Sequence, residues 1–259
     1  MNFLSDLYNF EGKNILIFGA GGHLCSEIAT NFAKLNANLF LIDFSYEKLK
    51  KLEQKIKLFN KVSNIYLYDV NTTSYNDMSN LNKLINQEHQ IDVLINGSGI
   101  NSPKNYLDIE IEEWNKVIQS QLNSVFISCK LFGGSMVKNQ KGSIINISST
   151  SAGPPLSKAF AYSSAKAAIT NLTKNLAREW ALKGVRVNSL RPGFFPTEWN
   201  KKNFLDRDRI DKIMNHTPMK RFGDPKELFT AIMFLSSNAS SFVTGSEVIV
   251  DGGFSCMTV

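Results

Sequence analysis

The chain has 259 residues, 43% of them hydrophobic and 20% charged, with a formal net charge of +6. These values exclude a collagen-like or intrinsically disordered chain and leave enough apolar material for one large core. No apolar run reaches the roughly 18 residues of a membrane span, and the N-terminus lacks the basic-then-apolar pattern of a signal peptide.

Seven short apolar runs follow one another along the chain. The first, residues 14–18, leads into Gly19-Ala20-Gly21-Gly22-His23-Leu24-Cys25. The second, 38–42, ends at Asp43 and precedes an amphipathic stretch at 45–58. The third, 65–68, is closed by Asp69-Val70, and the fourth, 91–95, by Asn96-Gly97-Ser98-Gly99. The fifth, 143–147, meets Ser148-Ser149, and a helical pattern over 161–181 stops before Gly184. The sixth, 185–190, is followed by Arg191-Pro192-Gly193 and an irregular stretch to 223, within which 206–214 has an amphipathic pattern. Asp224, Pro225 and Glu227 have the spacing of a helix start, and 247–250 is the last run.

Most runs are continuous rather than alternating, as strands buried on both faces of a parallel sheet require. Strands separated by helices predict an α/β chain with helices covering both sheet faces. A doubly wound sheet competes with an eight-stranded barrel, which wants a strand that is not seen after the seventh. No repeat or linker divides the chain, so residues 1–259 read as one domain with a substrate loop at about 191–223.

The unusual residues cluster where each strand gives way to the next segment, the edge at which doubly wound sheets bind ligands. Glycines after strand one let a backbone approach a pyrophosphate at a helix N-terminus. Asp43, at the end of strand two, is placed to accept hydrogen bonds from an adenosine ribose. An Asp there repels a 2′-phosphate and Phe44 adds no cation, so NAD is expected over NADP. Tyr162 and Lys166 share one helix face at i and i+4. That pattern also occurs at Tyr46 and Lys50, to which no chemistry is assigned. Ser149 distinguishes the later pair: two hydroxyls can converge on one substrate oxygen, with Lys166 expected to lower the phenol pKa.

Taken together, these segments resemble the short-chain dehydrogenase/reductase family over nearly the whole chain. The resemblance runs through the Gly19 turn, Asp69-Val70, Asn96 to Gly99, Asn146 to Ser149, Tyr162 to Lys166, Asn188 to Thr197, Val243 to Gly245 and Asp251 to Gly253. The segment His216 to Met219, with Arg221 to Gly223, is similar to sugar-acid members such as D-mannonate oxidoreductases and gluconate 5-dehydrogenases. The resemblance implies a Rossmann-type sheet in order 3-2-1-4-5-6-7, a homotetramer or homodimer, and hydride transfer between a nicotinamide and a carbonyl carbon. It makes Tyr162 the proton donor or acceptor, Ser149 the holder of the substrate oxygen, and Lys166 the holder of the ribose. Asp69 and Val70 would flank the adenine. Asn96, Gly97, Gly99, Pro192, Gly193 and Phe195 would line the cofactor, and Thr197 would meet the nicotinamide carboxamide.

Four residues depart from the family pattern. Phe18 replaces a threonine, while His23 and Cys25 replace glycines; His23 would face the pyrophosphate as a donor or an obstruction. Gln121 takes the place of a catalytic asparagine whose main chain holds a relay water. A cation-rich 194–222 region suits an anionic small-molecule substrate or a solvated helix face, and Trp199 could line the pocket. A role in surface-glycan or flagellin-sugar assembly and a catalytically weakened cofactor-binding subunit stay open. The cysteines lack disulfide or zinc spacing, and the histidines form no metal-ligand pattern. The 23 lysines are spread along the chain. A soluble cytoplasmic protein with no metal, membrane or nucleic-acid partner is expected.

Overall fold

The computed structural model describes residues 3–60, 64–197 and 205–257. Seven parallel strands form one sheet in the order β3-β2-β1-β4-β5-β6-β7. They are β1 (Asn14–Phe18), β2 (Asn38–Asp43), β3 (Ile65–Asp69), β4 (Val93–Asn96), β5 (Gly142–Ile147), β6 (Val185–Pro192) and β7 (Glu247–Val250). Central β1 pairs Ile17 with both Leu41 and Ile95, and all three are fully buried. Edge strands β3 and β7 are only half-buried, which matches their mixed sequences. The observed order is the doubly wound one, so no barrel closes.

The chain opens with a short helix, α1 (Phe3–Leu7), and each sheet face is covered by the helices that follow. One apolar layer joins β1 and β2 to α2 (His23–Lys34), α3 (Tyr46–Lys57) and the helix Pro225–Ser236. The other joins the sheet to α4 (Tyr75–Glu88), the segments around Val125–Met136, and the long helix Phe160–Trp180. Gly184 ends that long helix region at φ +70, where a Cβ would overlap the Gln140 carbonyl. Asp224 and Glu227 form a reciprocal capping box around Pro225.

The elements differ from expectation mainly at their ends. β2 and β3 run on to the aspartates Asp43 and Asp69, β4 begins at Val93, and β6 extends to Pro192. Within 191–223 lies the helix Arg207–His216, capped by the Asp206 side chain on Arg209 N at 2.8 Å. One feature had no sequence signal. The helical stretch from Ile111 to Lys138 contains two π-helical turns, Gln119–Asn123 and Cys129–Gly133. A π turn inserts one residue and so changes which side chains face the sheet.

Candidate active site

A cleft of about 1450 Å³ opens along the carboxyl ends of the strands. Its first wall is the turn after β1. Gly19 has φ +75, and a Cβ there would lie 2.8 Å from the Ser98 backbone, so only glycine fits. Asp43 fixes the turn. Its carboxylate accepts from Gly21 N at 3.0 Å and from Ser45 N at 3.1 Å. Gly22 is the N-cap of α2 and supplies no side-chain cap, leaving the helix N-terminus facing the cleft. A glycine cradle and an uncapped twelve-residue helix fit a pyrophosphate. Each carboxylate oxygen has a second lone pair, so Asp43 can hold the turn and still accept from a ribose.

One departure from the family pattern, Cys25, is explained by packing. Cys25 is buried against the sheet, and a Cβ at Gly97 would overlap its Sγ. The bulk added at 25 therefore occupies space left at 97. Burial pushes the Cys25 thiol pKa up to about 12, so it is a neutral packing group. His23 is the exposed first residue of α2 and lines the cleft mouth.

Of the residues expected at the site, Gly19, Gly21, Gly22, His23, Leu24, Asp43, Val70, Gly97, Gly99, Gln121, Ser149, Tyr162, Lys166, Pro192, Gly193, Phe195 and Thr197 all line the cleft. Asp69 and Asn96 do not. Asp69 is exposed at the end of edge strand β3, and the neighbouring cleft wall is made by Val70, Asn71, Thr72 and Thr73. Asn96 points into the protein. It donates to Asn146 Oδ1 at 2.8 Å and accepts from Ser128 Oγ at 2.5 Å, tying β4 to β5 and to the helical layer behind them. Lys48 was not anticipated. It lines the cleft beside Asp43, with its ammonium 5.7 Å from the Phe44 ring centre, so this end does contain a cation. Only its position one turn into α3, after Asp43, could have signalled it.

The long helix projects Tyr162 and Lys166 toward Ser149, which follows β5. Lys166 Nζ lies 5.5 Å from the Tyr162 ring centre and donates to the Ile147 carbonyl at 2.6 Å. Ser149 Oγ accepts from Ser151 N at 3.2 Å and from Ser151 Oγ at 3.1 Å. The balance of pKa effects differs from the sequence expectation. Burial raises the Tyr162 phenol, and the Ser149 hydrogen bond opposes it without prevailing. Burial also lowers Lys166 to about 8. Desolvation dominates both groups, opposed by the Ser149 hydrogen bond at Tyr162 and by Cys25 at Lys166, so the expected lowering of the phenol by Lys166 does not set its pKa.

On the substrate side, the helix Arg207–His216 presents the solvated face that was one of the two expectations for this region. Arg191 forms an ion pair with Glu247 at 2.7 Å, and Thr170 Oγ1 donates to the same carboxylate at 3.0 Å. Among the described lid cations, Arg209 clasps Ser157 through its Oγ and carbonyl at 2.9 and 3.0 Å. Lys212 pairs with Asp208, Lys220 donates to the Asn215 carbonyl, and Arg221 pairs with Glu227. These four cations are engaged by neighbouring segments or by their own helix rather than aimed at the cleft. Trp199, Lys201 and Lys202 lie outside the described residues. His89 packs on Phe40 and Tyr66 at 5.0 and 4.9 Å. His216 packs on Phe254 at 4.6 Å. No cluster of His, Cys, Asp or Glu able to hold a metal occurs among the described residues, and no described helix is long and apolar enough to cross a membrane.

Comparison with known proteins adds four likenesses. A family model described as enoyl-(acyl carrier protein) reductase matches residues 20–255. The 5-keto-D-gluconate 5-reductase of Escherichia coli is 32% identical, with 96% of this chain and 98% of that protein covered. A solved structure described as a D-mannonate oxidoreductase from Haemophilus influenzae, with bound NAD, superimposes with a TM-score of 0.91 at 34% identity, covering 97% and 98% of the two chains. A gluconate 5-dehydrogenase from Burkholderia cenocepacia, in complex with NADP and tartrate, gives a TM-score of 0.91 at 27% identity, covering 98% and 100%.

Proposed function

The chain belongs to the short-chain dehydrogenase/reductase family and is an oxidoreductase acting on a CH-OH group, and from that premise we propose that it interconverts a secondary alcohol and a ketone on a sugar acid or related polyhydroxy compound, with NAD(H) preferred. The convergence of Ser149, Tyr162 and Lys166 in the cleft, beside the glycine cradle, carries this reading. It supports turnover over a silent cofactor-binding subunit. The sugar-acid relatives support that substrate class over surface-glycan assembly.

A bound nicotinamide supplies or accepts the hydride. The chain supplies the proton. A desolvated phenol with a raised pKa keeps its proton at neutral pH, so Tyr162 is poised as the general acid toward a carbonyl oxygen. In the alcohol-oxidising direction the same phenol must first lose that proton, so oxidation is favoured by alkaline pH. Ser149 Oγ, oriented by Ser151 N, presents its own hydrogen to the same oxygen. Lys166, close to neutral-pH titration, is held by Ile147 where a ribose hydroxyl would approach.

Asp43 supports NAD, whereas Lys48 favours a second reading in which NADP is also accepted. Titration with NADH and then NADPH, followed by energy transfer from tryptophan, separates them. Micromolar NADH binding with NADPH at least about tenfold weaker supports the Asp43 reading. Comparable affinities assign the 2′-phosphate to Lys48, and no binding of either overturns the proposal. A sugar-acid panel then tests the substrate class. Self-association as a homotetramer or homodimer in a cytoplasmic setting completes the reading, supported by the exposed Phe126, Leu182 and Phe242. Size-exclusion chromatography tests the oligomer.

A further inference from the structure

Gln121 is 3% exposed and lines the cleft. Its carboxamide is pinned on one side only. Nε2 donates to the Ile100 carbonyl at 2.8 Å, while Oε1 is buried with no hydrogen-bond partner among the described residues. Exchanging the two atoms would set an oxygen against the Ile100 carbonyl, so the hydrogen-bond network fixes which atom is left over. An orphaned buried acceptor is unfavourable and calls for a physical reason. The surroundings are built to keep it there. Gln121 sits within the π turn Gln119–Asn123, the insertion that brings it to the cleft. A Cβ at Gly99 would overlap the carboxamide, so the side chain fits only because residue 99 is glycine. Ser120, from the same turn, accepts from Ile100 N at 3.2 Å, so the 99–101 segment is clipped to the π turn at both backbone groups.

We propose that Gln121 Oε1 is the acceptor for a hydroxyl of a ligand bound in the cleft, so that the side chain at this position, and not only its main chain, sets what the enzyme binds. The orphan oxygen demands a donor, and the ligands of the proposed reaction are rich in hydroxyl donors. Two sources share that chemistry: a ribose hydroxyl of the dinucleotide and a hydroxyl of a polyhydroxy substrate. The inference rests on the dehydrogenase reading above.

The test uses the full chain with Gln121→Met, which keeps the length of the side chain and removes the acceptor, and Gln121→Glu, which keeps an acceptor and removes the Ile100 donor. Three quantities are read for each: unliganded melting temperature, NADH affinity, and KM against kcat for a sugar-acid substrate that wild type turns over. Gln121→Met is expected to melt within a few degrees of wild type. It should weaken one ligand about tenfold, with kcat changed less. Loss in the NADH arm identifies the ribose as donor, and loss confined to KM identifies the substrate. Gln121→Glu is expected to retain most of the affected affinity. The proposal is overturned if Gln121→Met leaves both ligands within twofold. An equal loss in Gln121→Glu also overturns it, because the effect then belongs to the Ile100 tether. If Gln121→Met does not fold, Gln121→Asn, which withdraws the carboxamide by one methylene, is read against the same criteria. Failure of wild type to bind NADH sinks the dehydrogenase reading instead, so the two failures are distinct.

Discussion

Two helices of this protein carry a tyrosine followed four residues later by a lysine, with nearly the same geometry. In α3 the Lys50 ammonium lies 5.6 Å from the Tyr46 ring centre, and in the long helix Lys166 lies 5.5 Å from that of Tyr162. Their chemistry is opposite. Tyr46 is exposed, Lys50 bonds Glu53 at 3.1 Å, and that hydrogen bond raises the lysine pKa. Lys166 is buried and Tyr162 half-buried in the cleft wall with no carboxylate partner, and desolvation raises the phenol and lowers the ammonium to about 8. The spacing merely brings two groups together. Desolvation and the third group, Ser149 in one place and Glu53 in the other, decide whether the pair can move a proton near neutral pH.

The sharpest way to break the comparison is Tyr162→Phe. Loss of a positioned general acid should lower kcat about 10²- to 10⁴-fold while NADH affinity stays near wild type. A variant retaining more than about a tenth of kcat would place the proton transfer elsewhere. Ser149→Ala should cost less, about 10- to 100-fold in kcat. It should also displace the pH profile of alcohol oxidation to higher pH, because the hydrogen bond that opposes burial at Tyr162 is gone. An unmoved profile would deny Ser149 that influence.

Lys166→Met probes desolvation directly. The unfolded chain titrates this lysine near 10.5 and the folded chain near 8. Between those values the unfolded state holds more protons, so raising the pH favours the fold, and below pH 8 the full cost of burying the charge applies. Lys166→Met should therefore stabilise the unliganded protein by about 2 kcal/mol at pH 7, net of the lost bond to Ile147. The gain should fade as the pH approaches 10.5. A gain independent of pH, read by chemical denaturation across that range, would mean that packing rather than charge is responsible. The smallest effect is expected at the other pair. Tyr46→Phe and Lys50→Ala should each leave kcat and KM within about twofold of wild type, and a larger loss in steady-state kinetics would erase the distinction between the two helices.

Much of the site was legible locally because its signals are backbone demands. Gly19 is required by the approach of Ser98, Gly184 by its positive φ, and Asp43 by the two amides it accepts. Such demands fix a residue type at one position and can be read without knowing the partner. Asn96 and Arg191 show the limit. Both lie at the carboxyl ends of strands at the ligand-binding edge, yet Asn96 turns inward to Asn146 and Ser128, and Arg191 pairs with Glu247 from 56 positions along the chain. A polar side chain at a strand end has two directions open to it, and only the neighbouring strand chooses between them.

The sequence by itself determined the parallel sheet, its strand order through the family likeness, and the identity of the groups at its carboxyl edge, because continuous apolar runs and obligatory glycines are properties of single segments. Tertiary structure alone decided the pKa shifts of Tyr162 and Lys166, the fit of Cys25 against Gly97, the partners of Arg209 and Arg221, and the orphaned oxygen of Gln121. Each of these depends on what a side chain meets across space, and desolvation and hydrogen-bond satisfaction are set by that encounter rather than by the residue's neighbours in the chain.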